Sequence, residues 1–141
     1  MSQMNAGRIV IGGLAAGLVM NVIDAAANGF VLAAQWQAEA NALNGAMMNK
    51  AAAMSTVGWV CVDFLLGIAT IWTYAAIRPR FGPGPRTAMI AAGVLFIVGH
   101  LFYASYVFTG LFSASLIGAS SLAGLVAIAA GAYVGGAMYR E

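Results

Sequence analysis

Four apolar stretches, Arg8 to Gln35, Thr56 to Arg78, Thr87 to Thr109 and Ser113 to Arg140, leave this chain little choice of environment. Each supplies the ~20 residues that carry a helix across a bilayer core of ~30 Å. Backbone placed in hydrocarbon must satisfy its own hydrogen bonds, and a helix does so within one segment. Only 7% of the 141 residues are charged and 62% are hydrophobic, whereas about a quarter of a soluble domain is charged. The expected fold is therefore all-α. It is one integral membrane domain, 1–141, built as a four-transmembrane-helix bundle with helices near 8–35, 56–78, 87–109 and 113–140. Little is left over for a soluble domain, so ligands and partners should meet the protein in the membrane, at its surface or on short loops.

The first stretch has one feature of a secretory leader, because Arg8 precedes an apolar run that reaches Ala25-Ala26-Ala27. The run continues to Ala34, so a retained helix is expected. Cys61 is the only cysteine, which leaves no intrachain disulfide and no Cys-rich metal site. A small, buried apolar residue is the reading preferred for it.

Positive charge sets the expected orientation. Arg8, the trio Arg78, Arg80 and Arg86, and Arg140 mark one side, and Lys50 alone lies in the first connection. Cationic loops stay in the cytoplasm, so both termini and the second connection are expected inside, with 35–55 and 107–113 outside. Pro79, Pro83 and Pro85 each remove a backbone donor and restrict the preceding residue, so the segment Arg78 to Arg86 should be a short, stiff, non-helical turn. Arg78, Arg80 and Arg86 are candidates for contact with lipid headgroups, although topology alone also accounts for them. In the outer segment, Trp36, Ala40, Leu43, Met47, Ala51 and Met54 recur at intervals of three and four. That spacing predicts a short amphipathic helix lying at the outer interface between the first two spans. Met47, Met48 and Met54 would suit copper only beside a His or Cys cluster; with none nearby, no metal site is expected.

Asp24, Asp63 and His100 each interrupt a different apolar stretch. A charged group in hydrocarbon costs several kcal/mol by insertion scales, so such residues should face the bundle interior. Gly13, Gly17, Asn21, Asp24 and Asn28 share one helical face, while Ile11, Leu14, Leu18 and Val22 point elsewhere and suit lipid. Thr56, Asp63, Gly67, Thr70 and Tyr74 repeat the pattern in the second span, as do Gly93, His100 and Tyr103 in the third. In the fourth, Ser120, Gly124, Ala127, Gly131 and Gly135 form a smooth face suited to close helix contact. At ~1.5 Å per residue Asp24 lies ~24 Å from Arg8, Asp63 ~22 Å from Arg78 and His100 ~21 Å from Arg86. Three titratable groups thus share a depth, with Asn21 and Asn28 within a turn. The candidate site is a buried polar cluster of Asn21, Asp24, Asn28, Asp63 and His100. Two carboxylates crowded in a low dielectric should share a proton, unless the cluster only ties helices together.

His100 is also a possible axial ligand to haem or chlorophyll, but one histidine cannot supply two axial ligands within a chain. A hydrogen-bonded interior histidine is the reading preferred, and no cofactor is expected. Trp59, Trp72, Tyr74, Tyr106 and Tyr139 fall near span ends, where amphipathic rings belong. There is no nucleotide loop, metalloprotease helix or nucleophile elbow, so no catalytic residue is assigned and the chain is not expected to be an enzyme.

The stretch Tyr74-Ala75-Ala76-Ile77-Arg78-Pro79-Arg80-Phe81-Gly82-Pro83-Gly84-Pro85-Arg86-Thr87-Ala88 resembles a family of small, uncharacterised four-helix bacterial membrane proteins. The resemblance extends to Gly13 to Asn28 with its Asn, acid, Asn spacing, to Gly110-Leu111-Phe112 and to Tyr139-Arg140-Glu141. It implies a bacterial inner-membrane location and carries no activity with it.

Three functional readings follow. The leading expectation is a non-enzymatic accessory or structural subunit that packs in a larger membrane assembly through its Gly and Ser faces. The alternative is a small oligomeric proton-coupled transporter with Asp24 and Asp63 as proton carriers; the third is a pigment- or haem-binding subunit acting through His100. Expected partners are membrane lipids and other membrane subunits or further copies of the chain, and not nucleic acid.

Overall fold

The structure, a computed structural model, describes residues 4–140, and the side chains of all of these except 44–55. Helix α1 spans Ala6–Ala26 and runs into a π-helical turn, Ala27–Val31. Helix α2 spans Ala33–Phe81, α3 Pro85–Phe108 and α4 Ala114–Met138. Four segments are long and apolar enough to cross a membrane: Ala6–Val31, Thr56–Phe81, Pro85–Phe108 and Ala114–Met138. The segment expected as a separate outer helix is continuous with α2; Met47, Met48, Lys50, Ala51 and Met54 lie outside the described side chains.

Helix ends follow from local chemistry. The Asn5 side chain accepts the Arg8 N–H at 3.1 Å and starts α1, and Ser113 does the same for Leu116 at 3.3 Å and starts α4. Pro85 occupies the first turn of α3, where its missing N–H costs nothing. The expected break at Arg78 does not occur: α2 continues through Pro79 to Phe81. Pro79 falls in the last turn, where its ring φ is already helical and only one ladder bond is lost. The stop comes at Gly82, whose φ of +82° turns the chain while its N–H still reaches the Arg78 carbonyl at 2.8 Å. The link between α2 and α3 is thus only Gly82 to Gly84.

Helix α1 packs against both α2 and α4, α3 rests on α4 and α2, and α1 and α3 make no helix contact. Two glycine seams set the spacing. Toward α2, a Cβ at Gly17 would stand 2.7 Å from the Phe64 Cα, and Gly67 abuts Gly13 and Gly17. Toward α4, a Cβ at Gly12 would stand 2.8 Å from the Gly135 carbonyl, and one at Gly131 2.8 Å from the Ala16 carbonyl. Backbones this close are how transmembrane helices gain van der Waals contact where lipid removes the hydrophobic drive.

The half of the bundle that carries the arginines is closely fastened. Tyr139, 4% exposed, stands edge-on to Tyr74 with centroids 6.0 Å apart, and its hydroxyl accepts the Asn5 N–H at 3.3 Å. The Arg78 guanidinium lies 5.4 Å from the Tyr139 ring centre, and the Tyr74 hydroxyl accepts the Gly84 N–H at 3.1 Å. Thr87 donates to the Gly82 carbonyl at 2.7 Å. Thr87, Ala88, Ala91 and Ala92 are the buried residues of α3, and all lie in this half. From Gly93 to Phe108 no residue of α3 is buried, and Thr56 to Val62 of α2 are all exposed. The opposite half is therefore open along α2 and α3.

Candidate functional site

Asp63 sits on the α1 side of α2, 8% exposed, where its backbone carbonyl closes against Gly17. Asp24, half-buried on α1, is close enough for its charge to act on Asp63 and on the Tyr103 hydroxyl. The contacts of Gly17 with Phe64 and of Asn21 with Val60 place Asp24 nearly two helical turns farther from the arginine end than Asp63, so the two carboxylates of the polar stripes belong to neighbouring helices but not to one level. No hydrogen bond or ion pair joins either of them to another group among the described residues, while every arginine lies at a helix end. Two like charges without a counterion in a poorly solvated space repel strongly.

His100 belongs to a different neighbourhood. Its Nδ1 donates to the Phe96 carbonyl at 3.0 Å, its ring stacks on Phe96 at 3.9 Å, and Tyr103 meets it edge-on at 5.8 Å. The bond from Nδ1 leaves Nε2 as the bare nitrogen of the neutral ring, and Nε2 is turned to α4, where a Cβ at Gly124 would stand 3.0 Å from it. Among the described residues no group of three His, Cys, Asp or Glu side chains is placed to hold a metal ion. The expected level of Asp24, Asp63 and His100 therefore divides: the acids lie at different depths along α1 and α2, and the histidine is in the α3–α4 seam.

Asn21 and Asn28 bind helices to each other. The Asn21 amide donates to Gly17 in its own helix at 3.0 Å and to the Val60 carbonyl of α2 at 3.3 Å. Asn28 Oδ1 accepts from the Trp36 indole at 3.1 Å and from Ser120 at 2.7 Å, and Ser120 accepts from Tyr103 at 3.2 Å. One amide oxygen thus collects the π turn, α2, α4 and α3 at a point. Its position depends on the π turn, in which Leu32 N bonds Ala27 O five residues back at 2.8 Å.

Above this point, at the end away from the arginines, Glu39 of α2 holds the start of α4. Its carboxylate accepts the Ser113 N–H at 2.7 Å, the Ser113 hydroxyl, and the Gln35 amide at 3.2 Å. Gln35 also donates to Ser115 at 3.3 Å, and Trp36 meets Phe112 edge-on at 5.1 Å. The Ser113 backbone and hydroxyl bonds hold the Glu39 carboxyl below the usual glutamate range. Stripe reasoning did not find these contacts. The signal for them was a single acid, Glu39, in an otherwise uncharged stretch three residues after Trp36.

Two further residues depart from expectation. Cys61 is exposed and not buried, because it lies in the stretch Thr56 to Val62 of α2, all of it exposed, which the Asn21 bond to Val60 ties to α1. Of the three linker arginines, Arg80 and Arg86 are exposed, while Arg78 is half-buried over Tyr139. Tyr74 and Tyr139 are buried anchors, whereas Trp59 and Trp72 face outward as interfacial rings do. Shallow cavities of about 300 Å³ beside Glu39 and Phe112 and about 120 Å³ beside Tyr74 and Tyr133 lie at opposite ends, and neither touches Asp24 or Asp63. Comparison with known proteins returns no match: no family model fits the chain, and no curated protein or solved structure matches it.

Proposed function

We propose that this chain is a non-enzymatic accessory subunit of a larger assembly in a bacterial inner membrane, with both termini cytoplasmic. The observation that carries this reading is the bundle's unequal construction: α3 has no fully buried residue from Gly93 onward, while the arginine half is closed by Tyr74, Tyr139 and Thr87. A helix held beyond that point on one side, through His100 against Gly124 and Tyr103 to Ser120, has its other side free for another transmembrane segment. Asn21, Asn28 and Ser120, which a solute pathway would turn toward a cavity, instead bond neighbouring helices. The bacterial location rests on the resemblance of the Tyr74 to Ala88 stretch, and the orientation on the clustering of arginines at one end. Purification in mild detergent followed by native mass analysis tests the reading. A heteromer of fixed stoichiometry is expected, and a homogeneous monomer or homodimer would overturn it.

A specific observation favours a second reading, proton-coupled transport by an oligomer. Asp24 and Asp63 are acids of neighbouring spans with no cation bonded to either among the described residues, and each could take up and release a proton. Under this reading Asp63→Asn abolishes proton-driven solute uptake in liposomes while the chain still folds. Full uptake by that variant would rule the reading out.

A further inference from the structure

We infer that the cavity between Tyr74, Tyr133 and the start of α3 is a binding site for the phosphate ester headgroup of an anionic phospholipid from the leaflet on the arginine side. The chain alone holds this lipid, whether or not it sits in a larger assembly. The cavity, about 120 Å³, is far larger than the ~15 Å³ that one water needs. Buried Tyr74, Ala88 and Gly136 line it from within, and exposed Pro85, Tyr133 and Ala137 stand at its mouth. Gly136 keeps the inner wall thin, since a Cβ there would stand 3.2 Å from the Ala88 methyl and 3.8 Å from the Tyr74 ring.

The inner wall presents a donor that lacks an acceptor. Tyr74 is 3% exposed, and its hydroxyl oxygen accepts the Gly84 N–H at 3.1 Å, but no group among the described residues accepts the hydroxyl hydrogen. A buried donor left unused costs free energy that an acceptor in the cavity recovers. The ring carbon that bears this hydroxyl would lie 3.9 Å from a Cβ at Gly136, so the polar end of Tyr74 falls between Gly84 and Gly136, both of which line the cavity. Gly84, with a φ of +124°, has no side chain to cap α3, and the Arg86 N–H has no acceptor among the described residues. That helix end adds its positive potential to the same place.

Charge and depth name the occupant. The sequence sets five arginines at this end, Arg8, Arg78, Arg80, Arg86 and Arg140, against one acid, Glu141. Arg86 is exposed and follows Pro85 at the mouth directly, and a guanidinium pairs with a phosphate through parallel N–H bonds. Tyr133 lies seven residues, ~10 Å, from Arg140 along α4. The cavity therefore runs from the level of the headgroups to the start of the acyl chains. A phospholipid presents phosphate and hydrocarbon in that order at that depth, whereas a soluble phosphate ester presents only the first. Basic pockets between transmembrane helices at this interface suit anionic headgroups.

The test uses the full chain in a non-ionic detergent, freed of lipid and titrated with dioleoyl phosphatidylglycerol or dioleoyl phosphatidylcholine, with bound lipid counted by native mass analysis. The expected result is one phosphatidylglycerol held at least ten-fold more tightly than phosphatidylcholine. Ala137→Phe, which fills the mouth, and Arg86→Gln, which removes the nearest charge, should each weaken that binding at least five-fold. Arg8→Gln should leave it unchanged, because Arg8 stands on α1, which makes no contact with α3. Equal affinity for the two lipids, or an equal loss in Arg8→Gln, means diffuse attraction to the arginines and overturns the inference. Displacement of the lipid by glycerol 3-phosphate at matched concentration assigns the cavity to a soluble ester and overturns it too. Phosphatidylglycerol with a photoreactive headgroup supplies a check on the unaltered chain. Its adducts should fall on Pro85 to Ala88 and Tyr133 to Ala137, and adducts confined to other segments overturn the proposal. A solitary chain that still holds one phosphatidylglycerol would remove the subunit reading and leave this site standing.

Discussion

Ser113 is a helix cap that is itself held from another helix. Its hydroxyl accepts from Leu116 N and donates to Glu39, and its N–H reaches the second Glu39 oxygen at 2.7 Å. Because these bonds favour the ionised form, the folded chain binds the Glu39 proton more weakly than the unfolded chain does. The stabilisation is complete above the ordinary glutamate value of about 4.3 and is lost as pH falls below it through the depressed folded value. Thermal unfolding in detergent from pH 7 to pH 3 should show this loss, and Glu39→Gln should flatten that part of the profile. An unchanged profile in the variant would mean that the contact contributes nothing. The surrounding groups show what a stripe of residues can and cannot say. Asn28 lies on the polar face that helical spacing picked out, yet its two partners depend on a π turn that no residue type announces. Residue counting puts His100 at the depth of the acids, but depth along an axis does not give rotation about it, and its ring is turned to Gly124.

At the scale of elements, one pair of adjacent glycines serves two neighbours. Gly13, with Gly17, lets α2 approach, and Gly12, with Ala16, lets α4 approach. The first seam was legible because Gly13 and Gly17 continue into Asn21 and Asp24 on one face. The second was not, since it shows only when Gly131 and Gly135 of α4 are known to lie opposite. Ile11, Leu14, Leu18 and Val22 are all exposed, as expected of residues that suit lipid. A methyl group at Gly17 would force the Phe64 backbone away, and overpacking of this kind costs about 1–3 kcal/mol. Gly58→Ala, where a Cβ meets nothing within 4 Å, should stay within about 0.5 kcal/mol of the parent. Unfolding by SDS in mixed micelles compares the two, and equal stabilities would show that the α1–α2 spacing is not set at Gly17. The extent of α2 was misjudged for a related reason. Three prolines predict an end at Arg78, whereas in a last turn packed through Tyr74 and Ala75 the lost bond is a small cost and Gly82 ends the helix instead.

The whole molecule is polarised along its axis. Arg8, Arg78, Arg80, Arg86 and Arg140 stand at one end, joined through the Asn5, Tyr139 and Tyr74 contacts, whereas Glu39 is the charge at the other among the described side chains. Cationic connections are retained in the cytoplasm, so the link Gly82 to Gly84 should be inside and the turn before α4 outside. Cys61 makes this measurable, because it is the only native thiol and Cys61→Ala leaves a background without one. In that background Ala114→Cys in intact cells should react with a membrane-impermeant maleimide and Pro83→Cys should not, with the pattern reversed in inverted vesicles. Both positions are exposed, so silence at either reports its side of the membrane and not burial. Arg80→Glu with Arg86→Glu should then make Pro83→Cys partly reactive from outside, since orientation follows the balance of basic residues near the span ends. Labelling of both positions from the same side in the parent chain would break the four-span arrangement itself, and with it the burial of Asp24 and Asp63 within the membrane.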